Sequence, residues 1–600
     1  MRRVLLSLAF LVPVVHAASP SKIEPPDWFA SPNRQQLLML VSGAGLADLK
    51  VQCDGPGFLT GAVQISPTGT HALFDLTIPP NTKPGTYHCA GLPFAIVPAL
   101  PPQGRFQGFS TDDIIYLVMP DRFSNGDPAN DDPAISRGLF NRANRRFYHG
   151  GDFAGIRQRL PYLKQLGITA LWLTPVYDNL NRLDPTDQFR GEKMTGYHGY
   201  HATDYYAVEE HFGTLAEYRA LVDAAHAAGI KVIQDQVANH IGNQHPWVDD
   251  PPRPSWLHGS RANHPTLNFQ TWALPDPNAA PELRKSVLDG WFAGRLADLN
   301  QDDPQMARYL IQNAVWWIAR SGADAIRQDT FQYAPRPFWR DWNAALHAQF
   351  PRLTTLGEVL EADPYQTSFF QGGRKGFDGI DTGLDSVFDF PLYFTARDVF
   401  IRHKAPLALA KLFAHDALYP NPRNLVTLLG LHDTARFMGE PGVTSADLLN
   451  AFTFLFTARG VPMIYYGDEI GMPGGDDPEN RRDFPGGFPG DPRNAFEAGG
   501  RTAEENRLFD RVKQLAALRA SSKALRQGVQ STLFASDTTF AFTRTLEHEQ
   551  WLIVVHTGAN PETIALPRGG ELKCEIGCSG NATASRLPLA PNSTAVYRVQ

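Results

Sequence analysis

Between residues 111 and 520, short apolar runs alternate with amphipathic stretches eight times, and this alternation constrains the fold more than any other property of the chain. The apolar runs fall at 114–119, 168–173, 230–234, 323–328, 353–357, 386–390, 425–430 and 461–465. Stretches with apolar residues at helical spacing lie between them, among them 154–166, 215–228, 306–321 and 446–458. Strands that alternate with helices in this number predict an α/β chain whose parallel strands close into a (β/α)8 barrel, with its chemistry at the C-terminal ends of the strands.

Acids stand at those ends. The fourth run closes as Ile326-Arg327-Gln328-Asp329, and residues two apart on a strand share a face, so Arg327 and Asp329 point into one site. A guanidinium beside a carboxylate favours its ionised form, as a nucleophile requires. Arg-x-Asp alone reads as a surface ion pair. The fifth run repeats the design with Glu358 and the seventh with His432-Asp433, so three strand ends present carboxylates to one site.

A hydrophobic fraction of 43% and a charged fraction of 20% exclude disorder as the default state. Net charge −7 gives no electrostatic ground for nucleic acid or an anionic membrane as partner. Met1-Arg2-Arg3 followed by an apolar run to Val15 and Val15-His16-Ala17 reads as a signal peptide over 1–17, which predicts export to the periplasm or medium and no membrane association after cleavage. In an exported chain, the local pairs Cys53 with Cys89 and Cys574 with Cys578 are candidate disulfides.

Two flanks differ from the central region. Residues 22–102 alternate β-type runs (36–41, 49–52, 61–65, 71–78) with Gly, Pro and Asn turns, the pattern of a small β-sandwich, and 98–104 reads as a linker. Residues 522–600 return to β-type runs and predict a C-terminal β-domain. The interval 241–299 after the third run is too long for a simple connection and predicts an inserted subdomain. The N-terminal sandwich is open to three readings: cleft wall, dimer contact or separate glycan module. A homodimer and a monomer both remain open.

The ordered set His198-Gly199-Tyr200, Asp235-Gln236-Val237-Ala238-Asn239-His240, Arg327/Asp329, Glu358 and His432-Asp433 resembles the motifs of the α-amylase family, glycoside hydrolase family 13. The resemblance implies Asp329 as nucleophile, Glu358 as general acid and base, and Asp433 as the residue that binds sugar hydroxyls in the distorted substrate. It implies hydrogen-bonding roles for His198, His240 and His432, an aromatic platform at Tyr200, and Arg327 in the substrate site. The partner would be an α-glucan, cleaved at α-1,4 bonds with retained configuration.

Two departures narrow the placement. Leu431 stands where the family commonly has Asn, and Phe331-Gln332 stands where many α-amylases carry Lys-His. The latter, the opening Ile23-Glu24-Pro25-Pro26-Asp27-Trp28-Phe29 and the Arg481-Arg482-Asp483-Phe484-Pro485-Gly486-Gly487 loop are similar to the cyclomaltodextrinase and neopullulanase branch. Endo-acting α-amylase and transglycosylase are the enzyme alternatives, and an inactive glycan-binding barrel is the alternative of another class. A zinc hydrolase has no H-E-x-x-H spacing to rest on.

Residues 121–131 and 149–152 are rich in carboxylate and amide oxygens, which suit a hard cation but also make ordinary Asx turns. Resemblance to the calcium loop of neopullulanase-type enzymes implies structural Ca2+ on Asn125, Asp127, Asn130, Asp131, the Gly150 carbonyl and Asp152. Trp247, Trp256, Phe331 and Tyr333 could stack on sugars, although core packing is the commoner role of each.

Overall fold

The computed structural model describes residues 18–185, 191–566, 571–580, 582–583 and 585–600; the expected leader at 1–17 lies outside them. The chain divides into two compact units, Met1–Ala99 with Asp249–Trp256, and Leu100–Val248 with Leu257–Gln600.

The first unit carries two sheets. One runs Ser19–Glu24, Gln35–Ala44, His71–Ile78, Leu59–Thr60, with Gln64–Ile65 also on His71–Ile78; the other runs Asp27–Phe29, Leu92–Val97, Gly85–Cys89. Met39, Leu40, Val41, Leu76 and Phe94 fill the space between them. The expected strand at 49–52 is absent. Leu46–Asp48 forms a 3-10 turn instead, and the chain then meets Cys89 through a single bridge and the Cys53–Cys89 disulfide.

The second unit is built on eight parallel strands: β1 (Ile115–Val118), β2 (Ala170–Leu173), β3 (Lys231–Gln236), β4 (Ala325–Gln328), β5 (Thr354–Gly357), β6 (Ser386–Val387), β7 (Val426–Thr427) and β8 (Val461–Tyr465). They pair in the order β6-β5-β4-β3-β2-β1-β8-β7, and a bridge from Phe388 to Val426 closes the ring. Every residue of β1, β2, β4 and β8 is buried, as apolar strands covered on both faces require.

The covering helices are α1 (Phe153–Leu166), α2 (Leu215–Ala227), α3 (Pro304–Ser321), α4 (Arg336–Gln349), α5 (Pro364–Phe370), α6 (Phe390–Phe400), α7 (Ser445–Thr457) and α8 (Ala503–Ser521). Their starts are written locally: Thr214/Glu217, Thr444/Asp447 and Thr502/Glu505 form capping boxes on α2, α7 and α8. Asp303 caps α3, accepting from the amides of Gln305 and Met306 with Pro304 in the first turn.

Strands β6 and β7 are shorter than the apolar runs over 386–390 and 425–430. After β6 the Asp389 carboxylate accepts from the Leu392 amide at 3.1 Å and Pro391 sits in the first turn, so a helix begins where the apolar run continues. Hydrophobicity persists into α6 because its inner face is buried.

The long excursion after β3 is closed at its base by His240–Ile241, which pairs antiparallel with Ala297–Asp298. Within the same unit, Val529–Ala535, Thr539–Leu546, Glu549–His556, Ser593–Val599 and Leu572–Ile576 form an antiparallel C-terminal sheet in that order. Leu552, Val554, Leu587 and Tyr597 pack in its core, and Cys574 is bonded to Cys578. Among the described residues, no helix is long and apolar enough to cross a membrane.

Candidate active site

Strand register builds the centre of the site. Arg327 of β4 lies opposite Asp235 of β3 and Leu356 of β5, and Glu358 follows β5 by one residue. The Arg327 guanidinium, wholly buried, contacts Asp235 through Nη1 at 2.8 and 2.9 Å, Asp329 through Nη1 at 3.0 Å and Glu358 through Nη2 at 2.9 Å. Asp235 also accepts from Tyr200 Oη at 2.8 Å and Trp172 Nε1 at 3.0 Å.

One cation cannot balance these carboxylates in a dry site, so protonation is favoured on some of them. Burial pushes Asp235 up to about 8 against the pull of Arg327. Burial pushes Glu358 up to about 7, again opposed by Arg327 and reinforced by Asp329 and Asp433. Asp329 is raised by burial, while Arg327 pulls it down, Asp433 adds to the rise and the Thr330 hydroxyl favours the ionised form.

Thr330 locks the pair. Its amide donates to Glu358 Oε2 at 3.1 Å and its hydroxyl to Asp329 Oδ2 at 3.0 Å. The geometry requires φ +47°, a left-handed backbone that a β-branched residue adopts only at a cost.

Asp433 differs from the other acids: its side chain is 35% exposed, with Oδ2 3.0 Å from His432 Nε2 and Oδ1 accepting from Arg481 Nη2 at 3.0 Å. Its packing pushes the carboxyl up, but His432 and Arg481 outweigh that and hold it well below the usual carboxylate range. The Tyr200 ring lies parallel to His432 at 5.2 Å, and its amide donates to His198 Nδ1 at 3.0 Å. Burial drives His198 well below the ordinary histidine range and His240 down to about 4, so both stay neutral. His240 packs on Phe292 at 5.4 Å.

Asp329, Glu358, Asp433, Arg327, Tyr200, His198 and His432 thus form one contact network, with His240 adjoining it. The sequence reading did not assign Thr330, Trp172 or Arg481. For Arg481 a signal existed, since it opens the 481–487 loop already set apart; its Nε donates to the His432 carbonyl at 2.9 Å. Trp247, Trp256, Phe331 and Tyr333 are all buried, and Phe331 stacks on Trp339 at 4.1 Å, so packing is their role in this structure.

The oxygen-rich loops converge separately. Asn125 Nδ2 donates to Asp131 Oδ1 at 2.8 Å, whereas Asn125 Oδ1 and Asn130 Oδ1 are buried without a partner. A Cβ on Gly150, which has φ +88°, would come within 2.4 Å of Asp131 Oδ1, so only glycine lets this backbone approach the carboxylate. Asp131 is raised to about 6, chiefly by burial, against the hydrogen bond from Asn125 and with Asp152, Asp121 and Asp127 adding to the rise. Asp127 caps a 3-10 turn, and Asp152 accepts from the amides of Gly126, Asp127 and Gly155 at the start of α1. Orphaned oxygens beside mutually repelling carboxylates fit a hard cation. A further cluster, Glu209, Glu210 and His211, was not singled out from sequence. Its groups are already engaged: His211 Nδ1 with Glu209 Oε1 at 2.6 Å, the Asn179 amide with Glu209 Oε2 at 3.0 Å and Ser136 Oγ with Glu210 Oε1 at 2.6 Å.

Residues 117–528 match the family model described as the α-amylase catalytic domain. The chain is 29% identical to a cyclomaltodextrinase of Thermoanaerobacter pseudethanolicus over 82% of this chain and 78% of the relative. It is 30% identical to neopullulanase 2 of Thermoactinomyces vulgaris, over 76% and 70%. A β/α-amylase of Paenibacillus polymyxa is 31% identical over 75% of this chain, which spans 34% of that protein. The crystal structure of an Anoxybacillus α-amylase is similar with TM-score 0.66 and 32% identity, over 82% of this chain and 98% of that one.

Proposed function

This chain belongs to the α-amylase family of glycoside hydrolases and is an α-glucan hydrolase, and we propose that it cleaves α-1,4 bonds of cyclodextrins, maltooligosaccharides or pullulan with Asp329, Glu358 and Asp433 in the roles that follow. Protonated Glu358 gives its proton to the glycosidic oxygen while the Asp329 carboxylate attacks the anomeric carbon, so the glycosidic bond breaks as a glycosyl ester forms. Water then yields a proton to the Glu358 carboxylate and attacks the same carbon, releasing Asp329. Two inversions retain the α-configuration; a sugar hydroxyl in place of water gives transglycosylation. Asp433 stays ionised to hold sugar hydroxyls, over the Tyr200 and His432 rings. Neutral His198 and His240 suit an uncharged substrate.

The observation that carries this reading is the single Arg327 guanidinium against Asp235, Asp329 and Glu358, with Glu358 raised to about 7. Such a site keeps a proton available at neutral pH. Following digests of cyclodextrin, maltoheptaose, pullulan and starch by proton NMR tests it. Release of α-anomers from the cyclic or short substrates is expected; inertness toward all of them, or β-anomers as first products, sinks it.

The cluster at 125–152 fits Ca2+, held by Asn125, Asp127, Asn130, Asp131, the Gly150 carbonyl and Asp152. Bound there, the ion would supply charge balance and no reaction chemistry. The basic and apolar start of the sequence, with two disulfides, supports an exported protein.

A further inference from the structure

The segment Asp249–Trp256 belongs by sequence to the excursion after β3, yet it forms one compact unit with the N-terminal sheets. It reads Asp249-Asp250-Pro251-Pro252-Arg253-Pro254-Ser255-Trp256, and its prolines fix φ and stiffen the backbone. A 3-10 turn over Pro254–Trp256 ends it, with the Trp256 amide donating to the Arg253 carbonyl at 3.0 Å.

Two side chains fasten this strut. Both oxygens of the Asp250 carboxylate accept from threonines of the turn before His71–Ile78, from Thr68 Oγ1 at 2.8 Å and from Thr70 Oγ1 at 2.6 Å. Arg253 Nη1 donates to Gln64 Oε1 at 2.7 Å. Ile65 and Leu73 of the sheet line a cavity of about 400 Å3 together with Pro252 and Pro254. Where a gap stands beside the contact, directed hydrogen bonds to a charged group hold the strut more than close packing does.

From its far end the strut continues into main-chain bonds that lead to the catalytic site. Leu257, the next residue, bridges Leu299 antiparallel, and the Leu299 amide donates to the Asn239 carbonyl at 2.9 Å. The His258 amide donates to the Asp298 carbonyl at 3.1 Å, and Asp298 pairs with His240. Asn239 Nδ2 lies 3.3 Å from His240 Nδ1, while His240 Nε2 is buried with no hydrogen-bond partner. An unpaired buried nitrogen calls for a cause, and a substrate hydroxyl supplies one.

We propose that Asp250 is a positioning residue: by tying the excursion to the N-terminal sheets it keeps Leu257, Leu299 and Asn239 in register and His240 aimed at the substrate. The role of His240 rests on the α-glucan reading above. The N-terminal sheets are then a mount for the excursion, and a separate glycan module would need neither the Asp250 nor the Arg253 contact.

Kinetics of full-chain variants on maltoheptaose, at a temperature where each is folded, test the positioning. Asp250→Ala should lower kcat/KM about fivefold or more, and Asp250→Asn, which keeps one acceptor oxygen, should recover most of the loss. In a His240→Ala background the same Asp250→Ala should lower kcat/KM less than about twofold, because the residue it aims is gone. A merely structural role would lower Tm and leave kcat/KM unmoved, or lower kcat/KM equally in both backgrounds; either result overturns the proposal. Thr68→Val with Thr70→Val removes the same bonds from the other side and should reproduce the loss, so the test stands even where Asp250→Ala does not fold. Hydrogen exchange separates the anchor from the function. The Leu299 amide should exchange about tenfold faster or more in Asp250→Ala, while amides of α8 keep their rates. Unchanged exchange at Leu299 sinks the anchor and leaves glucan hydrolysis standing. Faster exchange in a chain inert to every glucan keeps the anchor and sinks the function, and with it the aiming of His240.

Discussion

Two acidic clusters of the catalytic unit solve the same electrostatic problem in opposite ways. Around Arg327, Asp235, Asp329 and Glu358 share a cation that the chain itself supplies, and the excess negative charge is met by holding protons. Around Asp131, the charged neighbours that move its carboxyl are Asp152, Asp121 and Asp127, and two amide oxygens point at nothing. The first cluster is preorganised and proton-bearing, which is what acid catalysis needs. The second, on the Ca2+ reading proposed above, is completed by a cation from outside. Carboxylate density alone therefore does not mark a reaction centre; the origin of the compensating charge does.

The largest test of that contrast removes charges from each cluster. Asp329→Asn should lower kcat/KM by ~10^4-fold or more, and Glu358→Gln by ~10^2 to 10^4-fold with partial recovery on substrates with good leaving groups. Asp131→Asn should leave kcat within about twofold when the protein is folded. Steady-state kinetics on maltoheptaose and on an activated aryl maltoside measure all three. A loss for Asp131→Asn as large as that for Glu358→Gln would erase the distinction.

Removal of the outside cation is next in size. At free Ca2+ of 100 times Kd, a metal bound only by the folded state adds about 2.7 kcal/mol, and for a large domain each kcal/mol moves Tm by ~2–4 °C. Chelation should therefore lower Tm by roughly 5–10 °C, with recovery on adding Ca2+, by the same arithmetic. An unchanged melting curve in a chain from which no metal can be extracted would return the Asn125 to Asp131 loop to ordinary turn status.

The third test reads the protons of the Arg327 cluster. In the proposed mechanism Glu358 must be protonated to act as acid, and it is raised to about 7, so kcat/KM should fall as pH rises through that value. As the proposed nucleophile Asp329 must be ionised, and burial raises it above its ordinary range, so the acid limb should lie above that of a free aspartate. Asp433, held low, stays ionised throughout and adds no limb. Glu358→Gln should erase the alkaline limb; its persistence in that variant would assign it to another group.

Much of this site was legible because barrel strands obey local rules. The two-residue spacing of Arg327 and Asp329 put both on one face, and apolar runs ending in acids marked Glu358 and Asp433. His198, His240 and Tyr200 came only with the resemblance, since nothing local tells a neutral site histidine from a core one. Thr330 could not be read, because no residue pattern announces a left-handed β-branched residue. Arg481 meets Asp433 across 48 positions of sequence, a distance that only the closed barrel spans. The end of β6 was misjudged because hydrophobicity reports burial and says little of whether a buried segment is strand or helix, as Asp389 and Pro391 show; after β7 the buried run over 428–430 is neither strand nor helix.

The smallest effect separates the clusters by its sign. In the folded chain Asp131 titrates at about 6, above its ordinary 3.8, so without a cation the folded state binds more protons than the unfolded state between those values. Stability is then lost as pH rises through that window, and the full penalty remains at pH 8. Asp131→Asn removes the penalty, so in chelated protein at pH 8 it should raise Tm by about a degree or more, and by less at pH 4. In Ca2+-loaded protein the same substitution removes an attractive ligand charge and should lower Tm. Glu358→Gln, whose compensating charge is Arg327, should shift Tm equally with and without Ca2+. Scanning calorimetry of both variants at pH 4 and 8, in chelator and in calcium, measures the reversal. An Asp131→Asn shift of the same sign in both media would mean that the cluster carries its own compensation, and the contrast with Arg327 would fall.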